Sequence, residues 1–202
     1  MGRKKQIKNV AIFLIFCAFL CLNYNKAHCM TFTLSGSQIN EAIEYGQKNK
    51  LQSLGEFTKP WVFHLGEKEG WATLWSPYHN LAFKSKKAAV EKRSLTQDEI
   101  FKALRIKESL TFTVSVFGDF MQFARGYNAI LYCNEKMIYP VLSYFPEFAE
   151  PSSFYPETPL YVAGCVFKFP AEEIIIDSII TLVVTDPDGK EFKFPFDLPH
   201  IN

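Results

Sequence analysis

Histidine is scarce in this 202-residue chain: there are four, and His28 falls in the N-terminal stretch, which leaves His64, His79 and His200. No H-E-x-x-H, C-x-x-C, G-x-S-x-G or phosphate-cradling glycine loop occurs, so the usual spacings of metalloproteases, thiol redox enzymes, serine hydrolases and nucleotide binders are missing. An enzyme would need the fold to bring His64 or His79 within hydrogen-bond reach of a nucleophile or carboxylate. The chain also lacks an N-x-S/T sequon, which fits a bacterial rather than a eukaryotic secreted protein. There is no internal repeat and no low-complexity linker.

Long apolar runs are also lacking. The run Val10 to Leu22 is thirteen residues and follows Arg3, Lys4, Lys5 and Lys8; it is too short to cross a bilayer comfortably and matches a secretory signal. Cleavage after Cys29 would leave Ala27 and Cys29, both small, at the recognised positions. Cys17, Cys21 and Cys29 follow Phe16, Leu20 and His28, where lipidation would require a small residue. We therefore read residues 1–29 as a signal peptide and 30–202 as one exported domain, periplasmic or secreted, and not integral to the membrane once the signal is removed. Of the five cysteines that leaves Cys133 and Cys165, either a disulfide formed in an oxidising compartment or two buried thiols.

What is abundant is aromatic: 20 Phe, 9 Tyr and 3 Trp, enough for a β-rich core without staples. In Leu110-Thr-Phe-Thr-Val-Ser-Val116, apolar side chains alternate with hydroxyls, the pattern of a half-buried strand. Before it lie helix signals. Ser35-Gly-Ser-Gln38 and Thr96-Gln-Asp-Glu99 are capping boxes, and Ser76-Pro77 reads as N-cap and first helical residue. Trp61–Leu65 and Trp71–Trp75 flank a loop bounded by Gly66 and Gly70, a β-hairpin in which Trp61, Phe63 and Leu65 would share one face and Trp71, Thr73 and Trp75 another. After Val116 come strands at 129–133, 136–141, 160–169, 179–185 and 191–196, punctuated by Asn134-Glu135 and Asp186-Pro-Asp-Gly189. No helices intervene, so the expectation is α+β, with an antiparallel β-sandwich-like C-terminal layer on which short helices and the Trp-rich hairpin pack.

Four sets of residues are candidates for function. Trp61, Phe63, His64, Trp71, Trp75, Tyr78 and His79 would form an aromatic pocket for a small apolar or sugar-like ligand, or simply pack as core. The loop 145–159 carries Phe148, Phe154 and Tyr155 among four prolines and reads as a preordered contact surface or a strap over the core. The segment 84–107 is net +5, whereas 108–202 is net −8; Lys84, Lys86, Lys87, Lys92, Arg93, Lys102, Arg105 and Lys107 make a basic face for an acidic partner or a solvated helix surface.

The fourth set is Asp186-x-Asp188, with Asp119 and Asp177 near strand ends. Over these three residues of one loop the sequence resembles the calcium-dependent lipid-binding sandwich domains, and the resemblance implies a calcium site; as D-P-D-G it is also good turn chemistry. The residues otherwise call for no cofactor and no nucleic acid. The leading expectation is a non-catalytic envelope binding or interaction protein whose partner is an unknown envelope protein; the alternative is a periplasmic carrier of a small ligand.

Overall fold

The computed structural model describes residues 33–104, 109–175 and 178–201; the signal-peptide reading, Arg105, Lys107 and Asp177 lie outside them. The chain enters as α1 (Gly36–Lys48), whose capping box is formed: Ser35 Oγ accepts from the Gln38 amide at 3.3 Å, and Gln38 Oε1 accepts from the Ser35 amide at 2.9 Å. A short α2 (Leu54–Thr58) and a 3-10 turn over Lys59–Trp61 lead into the hairpin β1 (Val62–Gly66) and β2 (Gly70–Trp75). Then come α3 (Pro77–Val90), capped by Ser76 Oγ, and α4 (Gln97–Leu104), which starts with the reciprocal Thr96–Glu99 box.

The rest is strand: β3 (Ser109–Gly118), β4 (Asn128–Cys133), β5 (Lys136–Ile138), β6 (Leu142–Tyr144), β7 (Glu150–Pro151), β8 (Tyr161–Pro170), β9 (Ile179–Thr185) and β10 (Glu191–Asp197). All pairings are antiparallel. One sheet runs β1-β2-β3-β8-β6, with β7 also on β8; the other runs β10-β9-β4-β5. The fold is α+β with a sandwich-like pair of sheets.

Alternation in β3 decides what goes inside. Leu110, Phe112, Val114 and Val116 are buried while Thr111, Thr113 and Ser115 face outward. They meet Phe167 and Phe169 of β8, Leu131 of β4, Leu182 of β9, and Phe194 and Phe196 of β10 in one apolar layer between the sheets. At about 25 cal/mol per Å² of buried apolar surface, this layer is the main source of stability. A second core, formed by Ala42, Phe57, Trp61, Tyr78, Leu81, Ala82 and Ala103, lies among the helices.

Two expectations about local structure change. The strand read over 136–141 stops at Ile138, because Pro140 cannot donate to a ladder, and the chain passes from one sheet to the other, resuming as β6. The hairpin forms, but Trp61 does not share a face with Phe63 and Leu65. It belongs to the 3-10 turn and packs with the helices, whereas Phe63 and Leu65 join the sandwich core.

The hairpin depends on Gly70, which has φ +104° and whose Cβ, were there one, would sit 2.3 Å from the Ser115 carbonyl oxygen. Gly70→Ala is therefore expected to cost about 2–3 kcal/mol from combined strain and contact, read as a lower urea midpoint with unchanged slope.

Candidate functional site

At the end of the sandwich where the β1–β2 turn, the end of β3 and the 145–159 loop converge lies an open groove of about 490 Å³. It is lined by His64, Leu65, Glu67, Trp71, Phe117 and Phe154, together with Gly66 and Ser153. Its wall is a run of tilted and edge-to-face rings. His64 and Trp71 have centroids 6.0 Å apart, Trp71 and Phe117 5.8 Å, and Phe117 and Phe154 5.7 Å. Such spacings favour mutual packing and leave ring surface available to a ligand.

Each ring is placed by register. His64 pairs with Trp71, and Trp71 with Ser115, so the two rings stand side by side on the outer face of the sheet, and Phe117 stands two residues further along β3 on that face.

The loop supplies the fourth ring because it is tied down. Ser152 Oγ hydrogen-bonds the Pro159 carbonyl oxygen and accepts from the Phe154 amide at 3.1 Å. The Ser152 amide donates to the Leu160 carbonyl, and the Ala149 amide to that of Met121. Lys68, at the hairpin turn, reaches across: its Nζ donates to the Thr158 carbonyl at 2.9 Å and lies 4.8 Å from the Phe154 ring centre. Hairpin and loop are thus joined by an ammonium that is both a hydrogen-bond donor and a cation–π partner.

The seven residues of the aromatic set do not gather in one pocket. Only His64 and Trp71 line the groove. Phe63 packs edge-on to Phe194 and Phe196. Trp61, Trp75, Tyr78 and His79 sit at the helical end, where the wholly buried His79 ring is stacked between two indoles, 4.1 Å from Trp61 and 4.2 Å from Trp75. Strand period two explains the division. Trp71 and Trp75 share the outer face of β2 but stand at opposite ends of it, and α3 folds back over Trp75 alone.

His79 Nδ1 is 2.9 Å from the Leu74 carbonyl oxygen. Because a carbonyl only accepts, Nδ1 carries the proton and Nε2 is a bare lone pair, buried with no hydrogen-bond partner among the described residues. Burial pushes the imidazole down to about 4. Caged in this way, His79 cannot act as a base toward an external substrate. His200, at the surface, pairs with Asp197 at 2.9 Å.

The other candidates are placed as follows. In the loop, Phe148 and Tyr155 are more than half exposed, while Phe154 is half-buried in the groove wall. On the helices, Lys86 is spent on structure: its Nζ donates to the carbonyls of Asn49, Lys50 and Gln52 beyond the C-terminus of α1. Arg93 is bound to Glu91 and Glu99, and Lys102 to Asp98. Lys84, Lys87 and Lys92 have no ion pair among the described residues, so the basic face is smaller than its lysine count suggests.

Cys133 and Cys165 are free buried thiols, so the disulfide alternative gives way to the packing one. Cys165 is paired with Val114 within one sheet, while Cys133 closes β4 in the other, beside Ser178 and Ile175. Burial pushes the Cys165 thiol up to about 12.

Asp186 Oδ1 accepts from the amides of Asp188 and Lys190, at 3.0 and 2.8 Å, and Asp119 accepts from the Leu160 amide. Among the described residues no three His, Cys, Asp or Glu side chains are grouped to hold a metal ion. The Asp186 carboxylate serves its own turn.

Sequence reasoning missed Phe117, Ser153, Glu67 and Lys68. Phe117 had a readable signal: it is the bulky residue that breaks the small-hydroxyl series Thr111, Thr113, Ser115 on the outward face. Lys68 had none, because its partner Thr158 is ninety residues away.

Fold and site together define an α+β protein with two antiparallel sheets and an open aromatic groove at one end. No family model matches the chain, and no curated protein matches it. Among solved structures it is similar to the archaellum periplasmic stator protein FlaG from Sulfolobus acidocaldarius, at 12% identity and a TM-score of 0.28, over 44% of this chain and 86% of that one. A likeness of that size bears on neither fold nor function. No helix among the described residues is long and apolar enough to cross a membrane.

Proposed function

We propose that this is an exported, non-catalytic binding protein of the bacterial cell envelope that engages its partner through the aromatic groove. The observation that carries the reading is the ring series His64–Trp71–Phe117–Phe154, which joins the hairpin and the 145–159 loop into one contact surface. Export is supported by the basic head and short apolar run of residues 3–22. A binding rather than catalytic role is supported by the confinement of His79 between two indoles and by the setting of His64, which packs against Trp71 and has no nucleophile or carboxylate within hydrogen-bond reach among the described residues. Phe148 and Tyr155, exposed on the same loop, would extend the contact beyond the groove, and the partner is an envelope protein.

A volume of about 490 Å³ also lies within the range of small-molecule sites, which keeps a small apolar or sugar-like ligand as the second reading. The two are separated by recovering the protein from the exported fraction and measuring it by native mass spectrometry, alongside Trp71→Ala/Phe154→Ala and Lys84→Glu/Lys87→Glu variants. A protein partner retained by wild type and by the lysine variant, but lost with the ring variant, is the expected outcome. A stoichiometric small adduct lost with the ring variant selects the carrier reading. A partner lost only with the lysine variant places the contact on the helices and ends the groove proposal.

A further inference from the structure

Among the described residues the two sheets have four outer edges, β1 and β10 on one side of the sandwich and β5 and the β6/β7 edge of β8 on the other, and most of their length is protected against pairing with another chain. The β1 edge is interrupted by a register shift between His64 and Gly66. The β10 edge carries Glu191, Lys193 and Pro195. On β8 the short β7 presents Glu150 and Pro151. Charge, proline and bulges of this kind are how sheet edges avoid unwanted association.

The stretch around β6 is different. β5, which opens on the charged Lys136, ends one sheet, and β6 shares the end of the other with β7; from Met137 to Pro146 the chain, Met-Ile-Tyr-Pro-Val-Leu-Ser-Tyr-Phe-Pro, has no charged residue. Met137, Tyr139, Val141, Leu142 and Tyr144 are each 44–68% exposed. An uncharged, exposed apolar stretch of sheet edge beside protected ones marks an interface.

The geometry points to a second copy of this chain as the occupant, with β6 pairing antiparallel to β6 of the partner subunit about a two-fold axis at Ser143. Three features favour self-pairing. In that register Leu142 faces Tyr144 of the partner subunit and Tyr144 faces the partner's Leu142, aliphatic–aromatic cross-strand pairs of the favourable kind. Pro140 falls opposite the partner's Pro146, so the residues that cannot donate to a ladder coincide and bound the pairing to 141–145. With no charge in the segment, a copy meets no like charge, and an isologous contact needs this self-complementarity.

Area is compatible: with backbone included, the five residues offer roughly 600 Å² per copy, against the ~800 Å² per partner of a standard interface, the balance coming from the rim. The joined sheets would run continuously through both copies and leave the groove, at the loop end, open.

The test is sedimentation velocity of the purified protein at about 100 μM, a concentration at which mass action favours a dimer even of micromolar affinity, with Tyr144→Lys and Val141→Lys as variants. Both positions are exposed, so thermal unfolding should be unchanged at concentrations low enough for wild type to be monomeric. Wild type is expected at twice the monomer mass and both variants at the monomer mass. A monomeric wild type at that concentration overturns the proposal, as does a dimer that survives both lysines.

Discussion

Acidification from pH 7 to pH 4 is expected to remove about 3 kcal/mol of stability through His79 alone. Its imidazole is held neutral by burial, at about 4 in the folded state against an ordinary value of 6.5. Between those values the unfolded chain binds the proton and the folded chain does not, so stability rises with pH across the window. It is flat above about 6.5 and fully lost below about 4. The indole faces of Trp61 and Trp75 would welcome a cation, but the proton must go on Nε2, which is buried and has no acceptor among the described residues.

Urea unfolding at pH 7 and pH 4 measures the difference, and the same pair of curves on His79→Phe isolates it. Phenylalanine keeps a flat ring between the indoles and does not titrate, so the variant should lose about 3 kcal/mol less than wild type on acidification. Equal losses would mean that other groups carry the acid response.

Gly46→Ala is the second large effect, and two terms of opposite sign compete. Alanine in place of a helix-interior glycine returns about 1 kcal/mol of propensity. Against this, its Cβ would stand 2.2 Å from the Ala82 carbonyl oxygen, 2.6 Å from Ser85 Cβ and 2.7 Å from the Lys86 amide nitrogen. Two of these are backbone atoms that no rotamer change can move. α1 must lift from α3, stretching the 2.7 Å bond from Ser85 Oγ to the Ile43 carbonyl and pulling Lys86 from the carbonyls it caps. The contact term is at or above the top of the overpacking range, about 3 kcal/mol, so the net is a loss of about 2 kcal/mol or more. Urea unfolding followed by far-ultraviolet circular dichroism reads it; a stabilised variant would show that the helices do not cross at Gly46.

Much of this fold was legible because its signals are local. The alternation of β3 named its buried residues one by one, and the Ser35, Ser76 and Thr96 caps set three helix starts. Asp186-Pro-Asp-Gly189 set the β9–β10 turn. Less legible was anything fixed by distant pairing. The tryptophans read as one set, yet two of them bracket His79 under α3 and the third stands at the groove, a division made by where α3 folds back.

The groove needed Phe117 from the end of β3, Phe154 from a loop thirty-seven residues later and Lys68 to tie that loop down, and no spacing rule links the three. The lysine run misled for a related reason. Counting charges does not show that Lys86 caps α1 or that Arg93 is paired twice.

The most direct test of a groove that binds an envelope partner is a photoreactive amino acid at Ser153, an exposed position in the groove lining, irradiated in intact cells beside a control at Lys87 on α3. The expected result is a discrete adduct at 153, diminished by Trp71→Ala, and none at 87. An adduct at 87 with none at 153, or one at 153 indifferent to Trp71, would contradict the assignment of the groove as the binding surface.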